Sequence, residues 1–306
     1  VYLTRHILDY GRLFYFAAIL SIFVQTLVNN KFVGMAIMVA YVVIVLFVMR
    51  SIGFEDPLYR FGTRADVAYS DMNGWGHYGK IALWYSAYWG SACLLLFISS
   101  YLLWRRGTLD SLLFRVKHIG ESIGRPVQIV SLLGVMFFML SGAYIFYNTR
   151  ILNQYITAED IEHQQIRYEE KYIGNESLMQ PRIVAIKSNV DIFPDELRYV
   201  VNGEYILENR SEEDIETIVL GFHPAATIAN VTLLGGSIQA QDDEFNYYTL
   251  LLDEPLSPGT QVVLQFEAGR SVQGFKHARN NGNALGLSSL SENGSFIFNN
   301  ESFPYL

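Results

Sequence analysis

The chain has 306 residues, of which 17% are charged, and a formal net charge of −8. Residues 1–147 hold 7 acidic and 12 basic residues, net +5, while residues 148–306 hold 23 and 10, net −13. So acidic a second half excludes nucleic-acid binding through a basic patch, and a single cysteine, Cys93, excludes an intrachain disulfide.

The chain starts at Val1 without a signal-peptide layout and stops at Phe303-Pro304-Tyr305-Leu306, so it reads as an internal piece of a longer protein. Leu13 to Val28 is a first apolar stretch, marginal in length for a bilayer crossing, with Gln25 as its polar interior residue. Phe32 to Met49 is a second, and the two form an expected helical hairpin. Residues 51–80 mix charges with Gly, Pro and aromatics, as an ordered loop does. Asp71, Asn73 and His77 lie in it without the spacing of any metal motif. Ile81 to Trp104 is the third stretch. Its aromatic ends suit two membrane–water interfaces, and Ser86, Ala87, Gly90, Ser91 and Ala92 suit close helix packing. Cys93 reads as a small buried hydrophobe.

Loop 105–126 is the most basic of the chain, with Arg105, Arg106, Arg115, Lys117 and Arg125 against Asp110 and Glu121. The positive-inside rule puts it in the cytoplasm. A short amphipathic helix at 109–119, with Leu112, Leu113 and Val116 on one face, is expected to lie on the membrane. Val127 to Tyr147 has no charge and is long enough to span roughly 30 Å. The expectation is about four transmembrane helices (13–28, 32–49, 81–104, 127–147) in a plasma (inner) membrane, with residues 148–306 outside the cytoplasm. No stretch carries a charged residue in its middle, so the helices read as an anchor rather than an ion or proton path.

Thr157 to Ile173 reads as a helix capped by Thr157 and Asp160, with a thin stripe of Ile161, Tyr168 and Tyr172. It is expected to be a stalk (151–178). Glu162-His163 lacks the second His that a zinc helix requires. From Arg182 the apolar period becomes two. Strands are expected at 182–193, 197–209, 215–221, 227–233, 245–252 and 261–267, separated by Pro194-Asp195-Glu196, His223-Pro224, Gly235-Gly236, Gln241-Asp242-Asp243 and Pro255 to Gly259. Residues 280–294 read as a loop and 295–298 as a last strand. The fold class expected is a membrane α-helical part followed by an all-β sandwich or saddle over 179–306. Asn175, Asn209, Asn230, Asn293 and Asn300 each begin an N-x-S/T triplet.

The segment PRIVAIKSNVDIFPDELRYVVNGEYILENRSEEDIETIVL (181–220) resembles the opening β-hairpin of the N-terminal domain of aminopeptidase N-type zinc metallopeptidases. The segment 70–108 resembles the last part of a bacterial ABC-type permease fused to such a peptidase. GSFIFNNESFPYL resembles the edge of the β domain just before the catalytic domain. The resemblance implies a zinc ion held by HExxH and a downstream Glu. Neither HExxH nor a GxMEN loop occurs here, so the ion and the catalytic residues belong past Leu306 and this chain should be inactive alone. The resemblance also implies that the β domain lends a polar side chain to the substrate amine, for which Asn299, Asn300 and Glu301 are the candidates. The partners expected are the lipid bilayer, the catalytic domain of the same protein and an ABC ATPase at loop 105–126. The chain itself has no P-loop. The alternatives left open are a permease component with an extracytoplasmic binding domain and a non-enzymatic receptor or assembly module.

Overall fold

The computed structural model describes residues 11–28, 30–54, 56–64, 75, 78–104, 112–117, 119, 123–153, 157–271, 273–275 and 302–306. The chain divides into a helical unit ending at residue 159 and a β unit beginning at residue 160.

The helical unit contains α1 (Arg12–Leu27), α2 (Lys31–Val43), α3 (Tyr78–Leu103), the short α4 (Leu112–Lys117) and α5 (Arg125–Phe146). Wider π turns continue α2 over Ile44–Val48 and α5 over Tyr147–Ile151. Among the described residues two helices, Gly79–Leu103 and Arg125–Ile151, are long and apolar enough to cross a membrane. The expectation of about four is corrected to two for a physical reason. Sixteen residues of α1 rise only about 24 Å, short of a roughly 30 Å hydrocarbon core, and the α-helical part of α2 ends after 13. Apolar side chains of both long helices face outward: 28% of the first and 17% of the second is buried.

α3 and α5 pack closely. Gly90 has nothing near it, whereas a Cβ at Gly142 of α5 would meet the Tyr88 ring at 2.9 Å, and one at Gly134 would meet Leu95 at 3.0 Å. The notches therefore lie on α5 and the large rings on α3, with Tyr88 stacked on Phe138 and Trp84 against Tyr144. Cys93 is buried. The loop after α2 is anchored by Asp56, which accepts from the Leu58 amide and pairs with Arg150 at 2.7 Å, and by Phe61, which packs on Trp89.

The β unit opens with α6 (Ala158–Tyr172) and a 3₁₀ turn (Ile173–Ser177). Seven strands follow: β1 (Arg182–Phe193), β2 (Arg198–Glu208), β3 (Ile215–Gly221), β4 (Thr227–Leu234), β5 (Gly236–Asp242), β6 (Tyr247–Leu256) and β7 (Gln261–Ser271). They form two antiparallel sheets, β1-β2-β7-β4 and β3-β6-β5. The alternation read along β2 is real: Tyr199, Val201, Tyr205 and Leu207 face inward and are buried, meeting Ile218, Leu220, Leu250, Leu264 and Phe266 in one core. The expected Pro194-Asp195-Glu196 turn is a single 3₁₀ turn closed by Leu197 at φ 49°.

One expectation along the strands is corrected. The run from Gly235 to Asp243, read as breakers around a gap, contains β5. Only Gly235, at φ 91°, is the turn, and β5 pairs with β6 from Gly236 to Asp242. α6 packs on the β unit through Tyr168 and Tyr172, which meet Phe245 and Tyr247. The expected strand at 295–298 and loop at 280–294 lie outside the described residues.

The LENRS end of β2 has a structural role. Asn209 is wholly buried, and its side-chain amide donates to the carbonyls of Glu213 (2.8 Å) and Leu256 (2.6 Å). Its Oδ1 accepts from the amide and hydroxyl of Ser211 at 2.9 and 2.6 Å. This is full use of the hydrogen-bonding capacity of an Asn side chain, and it fixes the corner between the two sheets.

Candidate functional site

β3 is an outer strand of its sheet, and an outer strand exposes a row of unpaired amides and carbonyls. Here that row is occupied in two ways. The Gln180 side chain acts as a substitute peptide group: its Oε1 accepts from the Val219 amide at 2.8 Å and its Nε2 donates to the Thr217 carbonyl at 3.3 Å. One step on, Gly221 and Tyr305 exchange two backbone hydrogen bonds of 2.9 Å. Glycine at 221 lets the Tyr305 ring lie over the strand, since a Cβ there would meet the ring at 2.5 Å and displace it.

The segment 302–306 is bonded into the sandwich throughout. Ser302 Oγ donates to the Tyr199 hydroxyl at 2.9 Å, Phe303 packs edge-on to Phe266, and the Tyr205 hydroxyl donates to the Pro304 carbonyl at 3.0 Å. Burial holds the Tyr205 phenol up at about 12.

A groove of about 520 Å³ opens between α6, the 3₁₀ turn, the β3 margin and Tyr305. Tyr168, Tyr172, Tyr247 and Tyr305 line it, and its charged side chains are Glu169 and Glu176. Tyr172 and Tyr247 stack with centroids 4.0 Å apart, and Asn175 Nδ2 donates to the Tyr247 hydroxyl at 3.0 Å. Burial, together with the neighbouring Tyr168 hydroxyl, pushes the Tyr305 phenol well above its ordinary value. The groove tyrosines with raised values are thus neutral at physiological pH.

On the other flank of the same tyrosines lies an ion cluster. Lys171 Nζ sits 2.6 Å from Asp242 Oδ2, 5.6 Å from the Tyr172 ring centre and 5.9 Å from that of Phe245. The Tyr172 hydroxyl donates to the same Asp242 oxygen, and Arg167 pairs with Glu244 at 2.6 Å. Burial pulls Asp242 upward, but the hydrogen bonds from Lys171, Tyr172 and the Glu244 amide outweigh it and hold the carboxyl below the usual range.

The sequence candidates fall differently. Asn299, Asn300 and Glu301 lie outside the described residues, as do Asp71, Asn73, His77, Arg105 and Arg106. Lys117 and Arg125 are exposed. Arg115 is not: it is buried, and its Nη1 donates to the carbonyls of Thr26 and Leu103 at 2.8 Å each. These are last-turn carbonyls of α1 and α3, without a helical partner and at the negative end of the helix dipole. Arg115, expected as one of the basic residues of loop 105–126, joins two helix ends as a clasp. The described part of the short helix carrying it is Leu112–Lys117, Ile119 is helical too, and the rest of the expected 109–119 lies outside the described residues.

Among the described residues, no three His, Cys, Asp or Glu side chains come together as a metal site. They do not fit the zinc that the resemblance implies, which was expected in a separate catalytic domain. Gln180, Gly221 and the four tyrosines were not singled out from sequence as a site; their only signal was the tyrosine spacing in α6.

No protein-family model matches the chain, and no curated relative matches it. Among solved structures it is similar to an M1 zinc metallopeptidase from Deinococcus radiodurans, at 15% identity over 30% of this chain and 21% of that one, with a TM-score of 0.25. A Glu→Ala mutant of that peptidase bound to a Tyr-Ser-Ala substrate gives the same figures. A two-domain M1 zinc metallopeptidase bound to L-arginine matches at 17% identity over 31% of this chain and 22% of that one, with a TM-score of 0.25. The chain spans 21–22% of the length of these structures. Likeness at this score carries no argument about activity.

Proposed function

We propose that this chain is the membrane anchor and non-catalytic β portion of a membrane-bound zinc aminopeptidase, with hydrolysis carried by residues outside it. The observation that carries the reading is the hairpin β1–β2. The segment with the sequence resemblance folds as one antiparallel pair from Arg182 to Phe193, with a single register shift between Ile183 and Ala185, and its LENRS end closes the corner through Asn209. Two long helices with outward-facing apolar side chains support anchoring, since a bilayer is the solvent that such surfaces require. The β unit then lies outside the cytoplasm, and the bilayer and the catalytic domain of the same protein are its partners. Nothing in the described residues favours transport over anchoring.

The test is aminopeptidase activity on a panel of aminoacyl-p-nitroanilides. The full parent protein in membranes should release p-nitroaniline, lose this with a zinc chelator and regain it with zinc. Residues 1–306 alone should release none. Absence of chelator-sensitive release by the parent protein overturns the reading.

A further inference from the structure

We propose that the tyrosine-lined groove of the β unit binds a basic side chain of a peptide, its cationic head held over the rings and beside Glu169 and Glu176. The proposal does not depend on the aminopeptidase reading.

The argument starts from the two flanks of one aromatic cluster. On the first flank the chain supplies its own cation. Lys171 sits within 6 Å of the Tyr172 and Phe245 rings and is neutralised by Asp242. That is the geometry of a cation–π site with a counter-ion. The second flank, the groove, repeats the two ingredients, tyrosine rings and carboxylates. Among the described residues that line it, however, there is no Lys or Arg. Tyr305 is 43% exposed, so a ligand can reach it, and its ring lies against the Gly221 backbone.

Charge decides the class of ligand. Two carboxylates and no cation repel phosphates and carboxylates, which argues against nucleotides and acidic peptides. The donor set is not that of a metal site. Leu178, Val219 and Ile173 give the groove apolar wall as well, which suits the methylene stem of Arg or Lys and an aliphatic neighbour. Its size, about 520 Å³, is that of a site for a few residues rather than for a single ion.

The experiment uses residues 1–306 in nanodiscs with acetyl-Leu-Arg-Leu-amide, and with acetyl-Leu-citrulline-Leu-amide as the uncharged isostere. Binding is read by NMR of the peptide. The arginine peptide should bind roughly three- to tenfold tighter at low salt, the advantage expected of exposed cation–π and ion-pair contacts. It should shrink as salt is raised. The double variant Glu169→Gln/Glu176→Gln should bring the ratio to about one, and Tyr305→Leu should reduce it. The double variant Glu212→Gln/Glu213→Gln, which changes as much charge outside the groove, should leave it intact. Equal affinity for the two peptides, no saturable binding, or an equal loss with Glu212→Gln/Glu213→Gln overturns the proposal.

Discussion

Asn209 shows how much a single side chain can hold. It is fully buried with four hydrogen bonds, so truncation takes a partner from the Leu256 carbonyl and the Ser211 amide, while the Glu213 carbonyl keeps the Ser211 hydroxyl. Asn209→Ala is expected to cost about 3 kcal/mol in denaturant unfolding of the β unit, since each orphaned buried group costs roughly 1–3 kcal/mol. The same burial makes its N-x-S triplet inert in the folded state. Tyr205 sets an alkaline limit. Its phenol ionises near 10 when unfolded and about 12 when folded, so the folded state keeps a proton that the unfolded state has lost. The stabilisation is complete below pH 10 and is lost as pH rises towards 12, on the order of 2–3 kcal/mol in all. Unfolding followed across that window should show the loss, and Tyr205→Phe should remove about one proton's worth of the slope.

At the scale of elements, α6 is held by an apolar stripe and an ion cluster. The Asp242 carboxylate is depressed by Lys171 and Tyr172, so its contribution is present above the ordinary carboxylate range and disappears as pH falls through its lowered value. Lys171 is more than half exposed, so Asp242→Asn should cost only about 1 kcal/mol. Hydrogen exchange should show it as faster opening of 160–172 with the sheets unchanged. The tyrosine stripe was legible in the sequence. Its partner was not, because Phe245 and Tyr247 lie some seventy residues further on and nothing local points to them. β5 escaped for the opposite reason: its residues are mostly exposed, so GSIQAQD lacks the alternation that burial imposes on β2. The groove was illegible because its lining comes from four separated segments, with Gln180 standing in for a strand.

For the whole molecule the central prediction is orientation. In a Cys93→Ala background, a cysteine at exposed Asn189 or Glu212 should react with a membrane-impermeant maleimide added outside intact cells. One at Lys117 should react only after the membrane is opened. The reverse pattern would refute an extracytoplasmic β unit. The division into a helical and a β unit was legible because the two halves differ in charge and in apolar period. Span number was not, because composition does not reveal where α1 stops or where α2 changes to a π turn.

Arg115 brings one last consequence. The guanidinium that counts towards a cytoplasmic loop also ties the ends of α1 and α3 together. Orientation and cohesion then share an atom. Inverting the whole chain would carry Arg115 and both helix ends together, so the clasp holds the helices in either orientation and only the loop charge could select between them. Charge reversal at 115 would disturb both properties at once, whereas at Lys117 or Arg125 it would shift orientation alone.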